Sequence, residues 1–159
     1  MNGIGYGLDG YCCEESDRLR ALGIDKSYSV IAAEGLLWKY KPTDATVTVD
    51  GVTKTYKKVY MVPTMFGRFF GGGIQIAPHQ DRKNPEHLLT NIVVHGVARL
   101  HALLLFPGII AGKGDRQPKY LDYTVCRHAK VEFDRPVALQ IDGETVLNVR
   151  SYEAWAAEK

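Results

Sequence analysis

Few residues in this chain have a type and spacing that chemistry could use. The most suggestive run is Gln140-Ile141-Asp142-Gly143-Glu144, where a tight Asp-Gly turn would present a carboxylate rigidly to whatever lies beside it. Most such turns are only solvated hairpin tips, and the residues alone leave both readings open. Two glycine clusters suggest close backbone approach instead: Asn2-Gly3-Ile4-Gly5-Tyr6-Gly7-Leu8-Asp9-Gly10 and Phe70-Gly71-Gly72-Gly73. Asn2 and Asp9 are placed to line a cleft, although an Asx turn explains either one. A structural turn or bulge explains Gly71, Gly72 and Gly73 equally well. None of His79, His87, His95, His101 and His128 stands in a zinc spacing, so surface or satisfied-core roles are expected. Cys12 and Cys13 are expected to pack on a first helix, with no base nearby to activate them.

The elements that would position these residues change period at Pro42. Before it, a helix is predicted from about Tyr11 to Leu22, with acids early, Arg18 and Arg20 late, and Gly23 as its stop. The entry 2–10 is too glycine-rich for a stable helix and reads as a strand or tight loop. A second helix is predicted from Tyr28 to about Tyr40, ended by Lys41-Pro42. After Pro42, Ala45–Val49 and Val52–Tyr56 alternate around Asp50-Gly51, a strong hairpin signal. Further strands are expected at Lys58–Pro63, Leu88–Val94, Leu121–Cys126, Val131–Phe133 and Val137–Ile141. One more helix fits Gly96–Phe106, where Val97, Leu100, His101 and Leu104 share a face. Ser151–Lys159 reads as a short helix or a frayed tail. The expected fold is a single, mainly β domain over 1–159: an antiparallel β-sandwich with a few flanking helices.

Composition sets the outer limits. Of the 159 residues 45% are hydrophobic and 24% charged, the balance of a folded globular domain. A net charge of +2 argues against a nucleic-acid partner and is compatible with an anionic membrane surface. Three cysteines without metal or disulfide spacing point to a reducing, cytoplasmic setting. The N-terminus has no signal-peptide pattern. The longest apolar run, Ala102–Ile110, is far shorter than the roughly 20 residues of a membrane span, and Pro107 interrupts it.

Three segments, in order and over nearly the whole chain, resemble the diacylglycerol kinase/sphingosine kinase family, whose architecture is related to NAD kinase. They are the glycine-rich entry Asn2–Asp9, the segment Gly71–Pro78 that matches a GGG-x-x-x-AP pattern, and Gln140–Glu144 that matches Q-hydrophobic-DGE. The resemblance implies a two-domain enzyme that uses ATP and Mg2+ to phosphorylate a lipid hydroxyl. Its N-terminal domain holds the nucleotide on a GGDGT motif, and its C-terminal β-sandwich forms the acceptor side. This chain contains neither GGDGT nor a P-loop. It is therefore expected to be the C-terminal domain, to partner a missing N-terminal nucleotide-binding domain, and to be inactive alone with neither cofactor bound tightly.

By the same resemblance Glu144 is the general base for the acceptor hydroxyl, while Gly71, Gly72, Gly73, Asn2, Asp9 and Asp142 lie along the substrate or domain cleft. Trp38, Tyr40, Phe66, Phe69 and Phe70 would line a lipid groove or, by default, pack the core. Where many family members carry an Asp-Asp-Gly-Leu-Leu-Asp-like metal loop, this chain reads Asn84-Pro85-Glu86-His87-Leu88-Leu89-Thr90. Glu86 offers a hard oxygen ligand for Mg2+, but the departure points as much to a lost site. The alternatives are a non-catalytic lipid- or protein-binding module and a kinase of this architecture acting on a sphingoid base or NAD. Peripheral association with the inner membrane surface and a homodimer through the surface the missing domain would cover complete the expectations.

Overall fold

A computed structural model of the chain describes residues 3–24, 30, 31, 34, 41–68, 76–80, 83, 88–96, 98–110, 112, 113, 119–142 and 144–156. The described elements are β1 (Gly3–Tyr6), α1 (Leu8–Ala21), β2 (Thr43–Val49), β3 (Val52–Met61), β4 (Thr64–Met65), β5 (Leu89–His95), α2 (Arg99–Ile110), β6 (Leu121–Cys126), β7 (His128–Ile141) and β8 (Glu144–Trp155). Every strand pairing is antiparallel. The pairing order is β1-β4-β5-β3-β2-β7-β8, β6 adds to β5, and β1 also pairs with β7. The path from β1 through β4, β5, β3, β2 and β7 thus returns to β1, and the sheet closes on itself. The mainly β, sandwich-like class expected from the alternating patterns is what forms.

Two hydrophobic clusters hold this arrangement. The first is the interior of the closed sheet, where Ile4, Val47, Val59, Leu89, Val93, Val131, Phe133 and Leu139 meet. The second lies between the sheet and the helices, and joins Cys12 and Leu19 of α1, Tyr60, Met65, Ile92 and Val94 of the strands, and Ala102 of α2. Because β5 contributes to both, Leu89–Val94 is buried throughout and reads as a continuous run rather than an alternation. Polar groups inside are paired. Tyr152 donates to the Val62 carbonyl at 2.6 Å and accepts from Thr64 Oγ1 at 2.8 Å, while Asn91 Nδ2 donates to Thr64 Oγ1 at 3.1 Å. This chain of bonds ties β8 to the β3–β4 corner and to β5.

Several expectations change. Ser151–Trp155 is neither helix nor tail: it continues β8 against β7, with Ala154 in the core. The helix-forming Glu153-Ala154-Trp155 is overridden by the long partner strand. Strand β7 runs unbroken through Arg135-Pro136, and the pairing with β8 skips from Glu132↔Ser151 to Val137↔Val149 where proline has no N–H to give. The predicted strand at Lys58–Pro63 is the end of β3, bent by a bulge at which Lys58 has φ 52°. Helix α2 starts later and extends past Pro107, and the face with Leu100, His101 and Leu104 points outward while Ala102 is buried. Of the predicted helix at Tyr28–Tyr40, Val30, Ile31 and Glu34 are helical and the rest lies outside the described residues.

Helix α1 begins at Leu8, earlier than the glycine content suggests, and includes Gly10. A Cβ at Gly10 would stand 1.9 Å from the Ala138 carbonyl oxygen and 2.3 Å from its carbon, so α1 rests directly on the β7 backbone. Alanine at an ordinary helical glycine stabilises by about 1 kcal/mol. At this position Gly10→Ala is expected instead to destabilise by about 2–3 kcal/mol, because backbone must move to admit the methyl. Urea unfolding measures the sign, and a stabilised variant would show that the close approach is not required.

Candidate functional site

The Gln140–Glu144 run spans the β7–β8 hairpin, with Ile141 opposite Glu144 across a two-residue Asp142-Gly143 loop. Asp142 has φ 50°, a backbone that Asp tolerates better than most residues. Its Oδ1 accepts a hydrogen bond from the Gly3 N–H at 2.9 Å, and its own N–H donates to the Gly3 carbonyl at 3.2 Å. Asp142 therefore fastens the turn to the start of β1. Gln140 is 3% exposed and pairs with Gly5, and Ile141 pairs with Ile4. Three of the motif's residues thus have structural work. Glu144 takes part through its backbone, opposite Ile141, while its side chain is exposed at the first position of β8.

Next along β8, Thr145 donates to Asp17 Oδ2 at 2.9 Å and fastens α1 to the hairpin. Together with the Gly10 contact, this lays α1 along β7 and β8. Beside it the β7–β8 ladder carries a second irregularity, where Asn148 has φ 57° and Leu139 pairs with Val146. The resulting groove, about 460 Å³, is lined by Tyr11, Glu14, Lys41, Arg135, Pro136, Val137, Ala138, Leu147 and Asn148. Arg135 Nη2 donates to the Lys41 carbonyl, which holds the guanidinium at the groove. Burial, and then the nearby Glu15 carboxylate, push the Tyr11 phenol up to about 12, so it stays a neutral hydrogen-bonding group. The lining is mixed: Pro136, Val137, Ala138 and Leu147 are apolar, Lys41 and Arg135 are cations, and Glu14 is an acid.

The other predicted site residues fall differently. Asn2, Gly71, Gly72, Gly73 and Glu86 lie outside the described residues, as does the Asp9 side chain, although the Asp9 backbone is in the first turn of α1. Trp38, Tyr40, Phe69 and Phe70 also lie outside, and Phe66 packs on the interior cluster. Downstream of the triple glycine, Ile76 and Ala77 are buried, and the Ala77 N–H donates to the Arg68 carbonyl at 3.1 Å. Gln80, which the sequence did not single out, anchors both sides of this region. Its carbonyl accepts from Arg68 Nε at 2.6 Å, its Nε2 donates to the Leu88 carbonyl at 2.8 Å, and its Oε1 accepts from Thr90. Among the described residues no group of three or more His, Cys, Asp or Glu gathers as a metal site.

A second polar cluster stands at the other end of β5. Tyr56 donates to Asp122 Oδ2 at 2.8 Å, and His95 Nε2 lies 3.6 Å from Asp122 Oδ1, buried and without a hydrogen-bond partner. The His128 Nε2 is likewise buried and unbonded, 3.9 Å from Glu153 Oε2. Both rings are partly exposed and packed on aromatic neighbours, His95 on Tyr56 and His128 on Trp155. Cys12 packs as expected on α1, and Cys126 is buried at the β5–β6 pair. Burial, then the Asp50 carboxylate, push the Cys126 thiol from 9.0 up to about 12.

An antiparallel sheet closed by a short glycine-bearing strand, with a helix laid over one hairpin and an acidic turn at its end, defines a sandwich-like β domain. The chain belongs to the YegS C-terminal NAD kinase beta sandwich-like domain family, whose model matches residues 2–152. Its fold is similar to that of a diacylglycerol kinase from Bacillus anthracis str. Sterne, with TM-score 0.64, 16% identity, and coverage of 98% of this chain and 48% of that one. A second structure from that organism, described as a diacylglycerol kinase, gives TM-score 0.62 at 16% identity over 96% of this chain and 47% of its own. The chain thus spans about half the length of the solved relatives it matches. A search of curated proteins returns no match.

Two outcomes follow from this geometry. Asp142→Gly keeps the positive φ but removes the carboxylate that holds Gly3, so it should cost about 1–2 kcal/mol and speed amide exchange at Gly3. Unchanged Gly3 exchange would show that β1 is held by its ladders alone. For Cys126, the folded state keeps a proton that the unfolded thiol releases, so this contribution is complete below pH 9.0 and is lost as pH rises toward about 12. With Cys12→Ala and Cys13→Ala in place, a thiol reagent at about pH 8 should modify Cys126 fully in denaturant and hardly at all in the native protein. Fast native labelling would contradict this.

Proposed function

We propose that this domain is the acceptor side of an ATP-dependent lipid kinase of the diacylglycerol kinase type. In this reading Glu144 is the general base. Its carboxylate accepts the proton of the lipid hydroxyl as that oxygen bonds to the γ-phosphorus and the bond to the departing ADP oxygen breaks. ATP supplies the phosphoryl group and is held by a nucleotide-binding domain outside this chain. Among the described residues no group of three or more His, Cys, Asp or Glu gathers, and Glu86, the one candidate ligand for Mg2+, lies outside them. The groove along α1 and β8 is proposed to hold the body of the acceptor, with Val137, Ala138 and Leu147 against apolar portions and Arg135, Lys41, Glu14 and Asn148 toward polar ones. Glu144 is outside this lining, so the reacting hydroxyl would extend from the groove along β8 to the turn.

The observation that carries this reading is the division of labour in the Gln140–Glu144 run. Gln140 is buried and the Asp142 side chain holds Gly3, whereas Glu144 takes part through its backbone, opposite Ile141, and its side chain is exposed. The same division favours a second reading. A non-catalytic module would keep Asp142 for the fold, so the persistence of the turn alone does not separate an active enzyme from a binding domain.

The test is ATP-dependent phosphorylation of a diacylglycerol panel by the intact two-domain protein, wild type against Glu144→Gln. The substitution should lower turnover by about 10²–10⁴ with folding and ATP binding unchanged. Full activity in Glu144→Gln would remove Glu144 from the mechanism. An inactive wild type on every acceptor, sphingoid bases and NAD included, would favour the binding module.

A further inference from the structure

Helix α2 is anchored on one face and bare on the other. Ala102 is 5% exposed and, with Leu105, packs on the helix-side cluster. One turn of the opposite face carries Leu100 and Leu104, which are 67% and 72% exposed. No other described leucine is as exposed as either. Two aliphatic side chains at i and i+4, held out by a helix that the core fixes in place, form a ridge rather than scattered surface leucines.

The charge around the ridge says what it meets. From Val97 to Tyr120 the sequence has Arg99, Lys113, Arg116 and Lys119 against Asp115 as its one acid. This segment alone is more positive than the whole chain, whose net charge is +2. Helix α2 itself carries no acid, and its end leads to Lys113, whose N–H donates to the Gly108 carbonyl at 2.8 Å. On the flank, His101 packs edge-on against Tyr120 at 5.1 Å, and Lys119 Nζ lies 5.5 Å from the centre of the same ring. The ridge therefore has a tyrosine and a lysine on its flank, in a segment of net positive sequence, a pattern suited to an interface that is apolar below and anionic above. At 12 residues, α2 is about 18 Å long and too short to span a bilayer; no described helix is long and apolar enough to do so.

We infer that α2 docks on an anionic lipid surface, with its axis in the plane of the interface, Leu100 and Leu104 inserted at the headgroup–acyl boundary, and Lys113 and Lys119 against lipid phosphates. This does not depend on catalysis and is read without ATP or an acceptor. A protein surface of opposite charge or a second copy of the chain would use the ridge differently, and the experiment separates them.

The experiment is co-sedimentation of the purified chain with phosphatidylglycerol/phosphatidylcholine vesicles and with pure phosphatidylcholine vesicles. Binding is expected to the anionic vesicles, with at least a tenfold weaker apparent affinity for the neutral ones. Leu100→Ser with Leu104→Ser should reduce binding to the anionic vesicles at least tenfold while the circular dichroism spectrum and melting temperature stay native. Both positions are exposed, so folding should survive. Lys113→Glu with Lys119→Glu leaves the ridge intact and should weaken binding severalfold, as should raised salt. Absence of binding to anionic vesicles, or binding insensitive to both variants, overturns the inference. So does a dimer in light scattering that the leucine variant dissociates, because the ridge would then be a contact between copies.

Discussion

The candidate site depends on β1 being gripped from both sides. Gly3 and Ile4 pair with Met65 and Thr64 of β4, and Ile4, Gly5 and Tyr6 pair with Ile141, Gln140 and Leu139 of β7. These partners are far from β1 in sequence, so their pairing repays its loop-closure cost only once most of the sheet exists. Side chains are restricted here because the neighbours are close. A Cβ at Gly3 would meet Met65 Sδ at 2.4 Å, and Gly7, at φ 96°, turns the chain from β1 into α1. The glycine-rich entry is thus explained by the need to thread a strand and immediately lay a helix on the backbone of that strand's own partner.

The same economy appears in the two Asp-Gly hairpins. Asp50 Oδ1 accepts from the N–H groups of Arg127 at 3.0 Å and His128 at 2.9 Å, fastening the β2–β3 turn to the β6–β7 corner. Asp142 does the equivalent for β1. In both turns the aspartate occupies a positive-φ position, at 47° and 50°, and turns its carboxylate on backbone donors of a distant element. An Asp-Gly pair in this fold is therefore both a turn and a staple. The consequence for the motif is specific: the aspartate of the Asp-Gly-Glu turn has a structural explanation in its hold on Gly3.

Much of the fold was legible in the sequence because local signals and the final structure agree. The β2–β3 hairpin, β6, most of β7 and the turn that follows it come from alternation and turn chemistry, and β5 from a continuous apolar run; β8 beyond the turn does not read as a strand. Legibility failed where long-range contacts decide. Gly10 reads as a helix breaker until Ala138 is known to lie against it. Ser151–Trp155 reads as helical until β7 supplies a partner along its length. Gln80, Asn91 and Thr64 are polar residues whose value comes only from the groups they meet across the fold. For the site, Glu144 and Asp142 were visible as a turn, but which of the two is structural was not, because Gly3 is 139 residues away from Asp142. The groove was not visible at all, since it arises from two pairing irregularities and a close helix approach.

The setting of Glu144 also gives its bland explanation a physical form. Strand β8 is paired only to β7 among the described strands, so its outer edge offers backbone groups to any other strand. Exposed Val146, Leu147 and Trp155 would make such an edge sticky. The edge is blunted by the irregularity at Asn148 and by the exposed charges of Glu144, Arg150 and Glu153 spread along it. A charge serving only this purpose is needed somewhere near the start of β8, with either sign and without fixed geometry. A base needs a carboxylate at one place. Asp142 ties the end of β7 to β1 and Thr145 ties β8 to α1, so the hairpin is held on either side of Glu144. Solubility alone does not require a held backbone at this point, and a base would also need its carboxylate oriented by an acceptor bound beside it.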